Sequence, residues 1–193
     1  AEVVSAETRS DELLALFRKA EHVTLLALPD LSGVIVDCDT GESTAVSAEF
    51  YFNRYEGDWN ALLRALFSSD IKKVSHNVKD LQRTLLENGL PIEGFVFDTA
   101  LAGYLLDATA GKYDIASLFA AYFHQTLAEP KHLDSEAFSM LGNTIEAEAA
   151  FHVYTSAVGA LYETFAPMIE QRELHELYYE VELPLCAVLA RME

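Results

Sequence analysis

A chain of 193 residues with 51% hydrophobic content has the length of one domain and enough apolar side chain to bury a sizeable core. Its 31 acidic and 13 basic residues give a formal charge of −18, which disfavours a grip on a phosphate backbone unless bound cations or a local basic strip intervene; weak or no DNA binding by the chain alone is expected. Cys38 and Cys186 are far apart and lack CxxC or Cys/His spacing, so they read as reduced structural thiols rather than as a zinc site or a disulfide framework.

An opening helix starts at Ser10 as a cap, with Asp11 and Glu12 behind it and Leu13, Leu14, Leu16 and Phe17 on one side. Three strands follow, Val23 to Leu28, Gly33 to Val36 and Ser43 to Phe50, and the short turns between them predict antiparallel neighbours. Trp59, Leu62, Leu63, Leu66 and Phe67 recur at helical spacing, then Ile71 to Ser75 reads as a strand. A helix from about Val78 ends at Asn88-Gly89, where a left-handed cap residue fits, and Phe95 to Phe97 makes a fifth strand. Asp98 to Leu106 and Asp114 to Phe123 read as helices, each opened by an Asp that caps amides and complements the dipole, with Asp107 closing the first of them. His124 to Gly142, with Pro130, reads as a surface loop. From Asn143 the chain is helical to about Ile169 and again from about Arg172 to the end, with bends at Pro167 and Pro184. This order predicts a mixed α/β sheet covered on both faces.

No charged-then-apolar leader opens the chain and no apolar stretch nears the ~20 residues that cross a bilayer, so a cytoplasmic protein with no membrane partner is expected. Ala1 at the start and a final stretch, Leu183 to Glu193, that still reads as helix are what a piece excised from a longer protein would show. There is no phosphate loop, GxGxxG, GxSxG or HExxH, which leaves kinase, dehydrogenase, hydrolase and zinc-protease chemistry without support. Asp37-Cys38-Asp39 precedes Thr40-Gly41 and reads as a hairpin turn. Tyr51, Phe52, Tyr55 and Trp59 could stack on bases, but core and surface packing is the expectation for them.

The run Phe97-Asp98-Thr99-Ala100-Leu101-Ala102-Gly103-Tyr104-Leu105-Leu106-Asp107, followed by Asp114-Ile115-Ala116-Ser117-Leu118, resembles the 3′-to-5′ proofreading exonuclease domain of bacterial DNA polymerase I, in a degenerate form. The ending, Glu180 to Leu185 with Val188 to Glu193, resembles the helix leading from that domain into the polymerase thumb. The resemblance implies a ribonuclease-H-like exonuclease fold, a five-stranded mixed sheet flanked by helices. It implies one domain over residues 1–193, whose last helix, about 172–193, leads toward a polymerase domain of the same parent chain. Active members carry Asp-x-Glu at the end of the first strand, Asn-x-x-x-Asp at a helix start and Tyr-x-x-x-Asp on a later helix. Their carboxylates hold two divalent ions about 4 Å apart.

In this chain Ala27 and Pro29 take the first pair of positions, and Leu81 takes the Asp position after the matching Asn77 and Lys79. The third motif falls on Ala149 to Val158 in more than one register. The Asp position is Tyr154 if the Tyr falls at Ala150, or Val158 if Tyr154 is the Tyr. No catalytic residue is intact, and neither a metal nor another cofactor is expected. Asp30 and Asp80 sit one residue away from vacated positions and are expected to serve as a turn acid and a first-turn helix acid. His76, His152 and Tyr154 are expected to be ordinary polar or packing residues. The expectation is therefore an inactive, vestigial exonuclease domain, monomeric and retained as support for a polymerase. Two alternatives stand beside it. One is an active Mg2+- or Mn2+-dependent exonuclease with relocated carboxylates, Asp30, Asp80 and Glu146 or Glu148. The other is an acidic module that binds a basic protein.

Overall fold

The computed structural model describes residues 2–5, 10–39, 41, 45–127 and 144–193. Most of the expected loop from His124 to Gly142, including Pro130, lies outside the described residues, as do Thr40, the Ser43 start of the third expected strand and the side chain of Glu146.

Strands β1 (Glu2–Ser5), β2 (Val23–Ala27), β3 (Gly33–Cys38), β4 (Val46–Tyr51), β5 (Lys73–Ser75) and β6 (Phe95–Asp98) form one sheet in the order β1-β4-β3-β2-β5-β6. Strand β3 runs antiparallel to β2 and β4, as the short connections predict, while β5 is parallel to β2 and β6 and β1 is parallel to β4. The expected mixed sheet thus has six strands rather than five. Strand β1 offers only Val3 and Val4 as apolar residues, with no alternation to announce it, and pairing with β4 makes it a strand.

Side chains alternate across the sheet with period two. Leu25, Val34, Val36, Ala48 and Phe50 pack under α1 (Ser10–Lys19), α2 (Trp59–Leu66) and α3 (Val78–Glu87). Leu26, Ile35, Tyr51 and Phe97 pack under α4 (Thr99–Leu106), α5 (Ile115–Phe123) and α6 (Thr144–Gln171). Helix α1 includes Ser10 itself, whose hydroxyl accepts from Tyr55 at 2.8 Å. Asn88 caps α3 and Gly89 follows at φ +67°, as the Asn-Gly pair predicts. Among the described residues no helix is long and apolar enough to cross a membrane.

The last helices depart from expectation. Pro167 lies inside α6, which continues to Gln171 and breaks at Glu173, a left-handed residue at φ +57°. Instead of one helix to the end, a π-helical turn over Glu176–Glu182 leads into α7 (Leu183–Met192), with Pro184 in its first turn, where a missing N–H costs nothing.

At the other end of the sheet, Lys73 is fully buried, and its Nζ donates to the carbonyls of Ile71 at 2.6 Å and Ser68 at 3.0 Å. Gly94 makes room for it. At φ +78°, a Cβ there would lie 2.4 Å from the Ile71 oxygen and 2.7 Å from Lys73 Nζ. Gly94→Ala is therefore expected to lower stability by roughly 2 kcal/mol or more, from the left-handed backbone and the backbone clash together, measured by urea unfolding.

Candidate functional site

The residues that the resemblance singles out fall in two neighbouring cavities. Ala27 at the end of β2, Pro29 and Asp30 in the following 3-10 turn, and Asn77, Asp80 and Leu81 at the start of α3 line one cleft of about 290 Å³. His76 and Asn77 also border a second cavity of about 480 Å³, where Tyr113 and Asp114 meet Tyr154 from α6. The two cavities between them carry Ala27, Pro29, Leu81 and Tyr154, whose side chains are a methyl, a pyrrolidine ring, an isobutyl group and a phenol.

Each candidate acid is occupied elsewhere or lacks company. Asp80 accepts from Asn77 Nδ2 at 2.7 Å and pairs with Arg83 at 3.7 Å, which is first-turn service. Asp30 is exposed, in a turn where both it and Leu31 have positive φ, 61° and 56°. That turn is tight: Leu28 N donates to Gly33 O at 2.8 Å and Leu31 N to Leu28 O at 3.0 Å. Glu148 is ion-paired with Arg54 and does not line the cleft. Among the described residues no three His, Cys, Asp or Glu side chains come together to hold a metal ion. Two carboxylates, one of them already paired, do not fit a two-ion centre, which needs several oxygen ligands per ion.

What holds the cleft in shape is Asp98, in a role that reaches further than a local helix cap. Its Oδ1 accepts from Ala100 N at 2.9 Å and Leu101 N at 3.4 Å, capping α4, and also from Asn77 N at 2.9 Å. Its Oδ2 accepts from Val78 N at 3.0 Å. One buried carboxylate thus caps two helices. Asn77 has left-handed backbone (φ 56°) and gives α3 no side-chain cap of its own, so Asp98 replaces it from twenty residues downstream. The Tyr178 hydroxyl, from the π-helical turn, accepts from Asp98 N at 2.7 Å and donates to Asp98 O at 2.8 Å. Asp114 caps α5 through Ser117 N at 3.2 Å, and Asp107 closes α4 by accepting from Thr109, both as expected.

His76 Nδ1 lies 2.7 Å from Thr99 Oγ1, and burial holds its imidazole below the ordinary pKa against the pull of Asp98 and Asp114. It is a neutral ring between the two cavities. Tyr154 is buried, and desolvation together with the nearby Asp114 raises its phenol, so it stays protonated and cannot replace a carboxylate ligand. Cys38 and Cys186 are buried and pushed up to about 11, which makes them poor nucleophiles.

His152, expected to be an ordinary polar or packing residue, has polar partners on the sheet. Its Nδ1 lies 2.9 Å from Ser47 Oγ and its Nε2 2.8 Å from Glu49 Oε2, while Ser47 also meets Asp37 Oδ1 at 2.5 Å. Asp37, Ser47 and Glu49 share the sheet face that α6 covers, so this network pins α6 to β3 and β4. Burial raises the pKa of Asp37, against the hydrogen bond from Ser47. Ser47 is buried and does not line the cavities beside the cleft, so the Ser–His–Glu arrangement is structural rather than nucleophilic. Tyr51 is buried under the Arg54 guanidinium at 4.7 Å, and Trp59 meets the rings of Tyr55 and Phe52 at 5.8 and 6.0 Å, so these aromatics mainly pack on one another.

Comparison with known proteins agrees with this geometry. Residues 44–132 match the family described as DNA polymerase I, ribonuclease H-like domain. The DNA polymerase I of Chloroflexus aurantiacus is 31% identical over 134 residues, 63% of this chain and 13% of that one. That of Mycobacterium leprae is 29% identical over 140 residues, 70% of this chain and 15% of that one. The chain therefore spans only about an eighth to a seventh of the curated relatives it matches. In fold it is similar to the POL domain of Pol1 from M. smegmatis, at TM-score 0.77 and 16% identity, covering 98% of this chain and 31% of that one. It is also similar to the catalytic core of RRP6 from Trypanosoma brucei, at TM-score 0.69 and 13% identity, covering 97% and 52%. Together with the family match, these likenesses show a ribonuclease-H-like fold.

Proposed function

We propose that the chain is a catalytically inactive form of the ribonuclease-H-like, 3′-to-5′ exonuclease-type domain of DNA polymerase I, a monomeric unit within a longer cytoplasmic polymerase that it supports structurally. One observation supports the reading: Ala27, Pro29 and Leu81 line one cleft and Tyr154 the neighbouring cavity, and none of these four, the residues that the resemblance sets at the carboxylate positions, can hold a metal ion. Loss of even the outer partners of a metal site typically costs 10 to 100-fold, and the loss of ligands from all three motifs costs more. The frame around the cleft is supported by Asp98, whose work is capping, so the fold does not depend on the chemistry.

The test is hydrolysis of a 3′-labelled single-stranded oligonucleotide in Mn2+, the more permissive ion. Nucleotide release is expected to stay at the level of a metal-free blank. Metal-dependent release that Asp30→Asn or Asp80→Asn abolishes would overturn the reading in favour of relocated carboxylates. The formal charge of −18 supports the same reading, because a phosphate backbone approaching the chain unaided is repelled.

A further inference from the structure

We propose that a cavity at the start of β2, at the other end of that strand from the cleft beside Ala27, binds a small aliphatic polyamine, a methylene chain carrying two or more ammonium groups. The cavity measures about 510 Å³, within the size range of small-molecule sites. Its floor is Thr24 on β2 and Asp37 on β3, cross-strand partners on the sheet face that α6 covers. Glu21 just before β2, Asp39 just after β3 and Glu163 on α6 also line it. Among the described residues Lys19 is the single ammonium of the wall.

Acids around a hollow are by themselves a solvated surface, and the Thr24 hydroxyl is what makes this hollow a site. Thr24 is only 8% exposed, and among the described residues its Oγ1 has no hydrogen-bond partner. Buried polar groups are nearly always paired, so a lone hydroxyl lining a cavity points to a ligand. The residue of α6 that faces it is Gly159, where a Cβ would lie 3.4 Å from Thr24 Oγ1. Without that carbon the hydroxyl opens on the cavity instead of on a methyl group. Beside it, Asp37 accepts from Ser47 at Oδ1 and only at 3.4 Å from Ser156 at Oδ2. Burial raises its carboxyl, and a positive charge on the floor would offset that desolvation. Burial first, then the charges of Glu21 and Glu163, raise the Tyr162 phenol in the wall, so negative potential reaches the cavity from α6 and from the start of β2.

The spread of the acids chooses the ligand. Among the described residues no three His, Cys, Asp or Glu side chains come close enough to hold a metal ion, so these carboxylates do not suit one compact charge. The same wall carries Ala20, Ala45, Val46 and the Tyr162 ring, which suit methylenes and not a hydrated ion. A flexible polyamine meets both features. Its ammonium groups donate to separate carboxylates and to Thr24 Oγ1, while its methylenes lie on the apolar wall as a lysine stem does. A phosphate-bearing ligand would meet four carboxylates against one ammonium and is disfavoured.

The experiment is calorimetric titration of the full-length protein with spermidine in about 150 mM NaCl, where the diffuse attraction of a negative chain is largely screened. Saturable binding is expected. Asp39→Asn with Glu163→Gln, both exposed side chains, should weaken it about tenfold. The control, Asp70→Asn with Glu87→Gln, removes the same two charges away from the cavity and should stay within about twofold of the unmodified protein. Thr24→Val and Gly159→Ala change no charge. Each should weaken binding about tenfold, the first by removing the hydroxyl and the second by laying a methyl on it. Alanine is the better helix former at position 159, so that variant keeps the fold if Thr24→Val does not. Absence of binding overturns the site. So does equal weakening by the two charge-removing pairs, or an unchanged affinity in Gly159→Ala, since the attraction would then be diffuse. Displacement of spermidine by an equal concentration of Mn2+ overturns the choice of a polyamine in favour of a simple ion. None of these outcomes bears on whether the cleft at the other end of β2 hydrolyses DNA, so this inference and the function proposed above fail separately.

Discussion

Replacing Asp98 with alanine is expected to lower stability by about 3 to 5 kcal/mol, a large part of the 5 to 15 kcal/mol that holds a typical domain together. The magnitude follows from the bonds that disappear together. Four backbone N–H groups, those of Asn77, Val78, Ala100 and Leu101, lose their acceptor at once. An ordinary cap is worth about 1 kcal/mol and a buried unsatisfied donor about 1 to 3 kcal/mol, so two caps on one buried residue put the sum near 4. Asp98→Asn should be milder. An amide placed with its oxygen at Oδ1 keeps three of the four bonds, but its NH2 then faces the Val78 N–H, donor against donor. Tyr178→Phe removes the hydroxyl that satisfies the Asp98 backbone and should cost about 1 to 2 kcal/mol. Urea unfolding followed by circular dichroism gives all three. A loss below 1 kcal/mol for the alanine variant would sink the idea that Asp98 is the joint of the cleft. The order alanine, asparagine, then wild type would mean that the capping bonds of Asp98 set its contribution to stability.

How far the sequence could be read depended on the range of the interaction that decides each element. Helices α2 and α3 are announced by their own apolar period, and α4 and α5 by Asp caps two or three residues from the amides they bind. The absence of Asp and Glu at positions 27, 29 and 81 is likewise a local fact of the sequence. Long-range partners were not. Asp98 reaches twenty residues back to cap α3, and His152 meets Ser47 across 105 residues, so neither role leaves a pattern near its own position. Lys72 and Lys73 look alike as a pair, yet one is exposed and the other fully buried; only the packing of Phe67 and Phe95 around Nζ distinguishes them. Strand β1 exists because β4 offers a free edge, which its own four residues do not foretell.

The buried Lys73 leads to the second large effect, a stability that rises with pH where the whole chain's charge would make it fall. Desolvation pushes the Lys73 ammonium down to about 7 against the opposing attraction of Glu93, whereas the unfolded chain keeps the ordinary 10.5. Between those values the folded protein has released a proton that the unfolded chain still holds, so ν in the unfolded state is larger and stability increases with pH. The slope approaches about 1.4 kcal/mol per pH unit, which over pH 7.5 to 9.5 amounts to roughly 2 to 3 kcal/mol. Below about pH 7 both states are protonated and the group adds no slope. Self-repulsion within a chain of charge −18 works the other way as further groups ionise, so the wild-type curve alone does not isolate the residue. The difference from Lys73→Met does. Methionine fills a similar volume and leaves the Ser68 and Ile71 carbonyls without their donor, a penalty of about 1 to 3 kcal/mol each that does not vary with pH. The intercept between the two curves therefore mixes desolvation with lost hydrogen bonds, and the slope alone reports the proton. Wild-type stability should climb relative to Lys73→Met from pH 7 upward. Curves that stay parallel to pH 9.5 would mean that the ammonium keeps its proton inside the fold, held by two carbonyls between two phenyl rings.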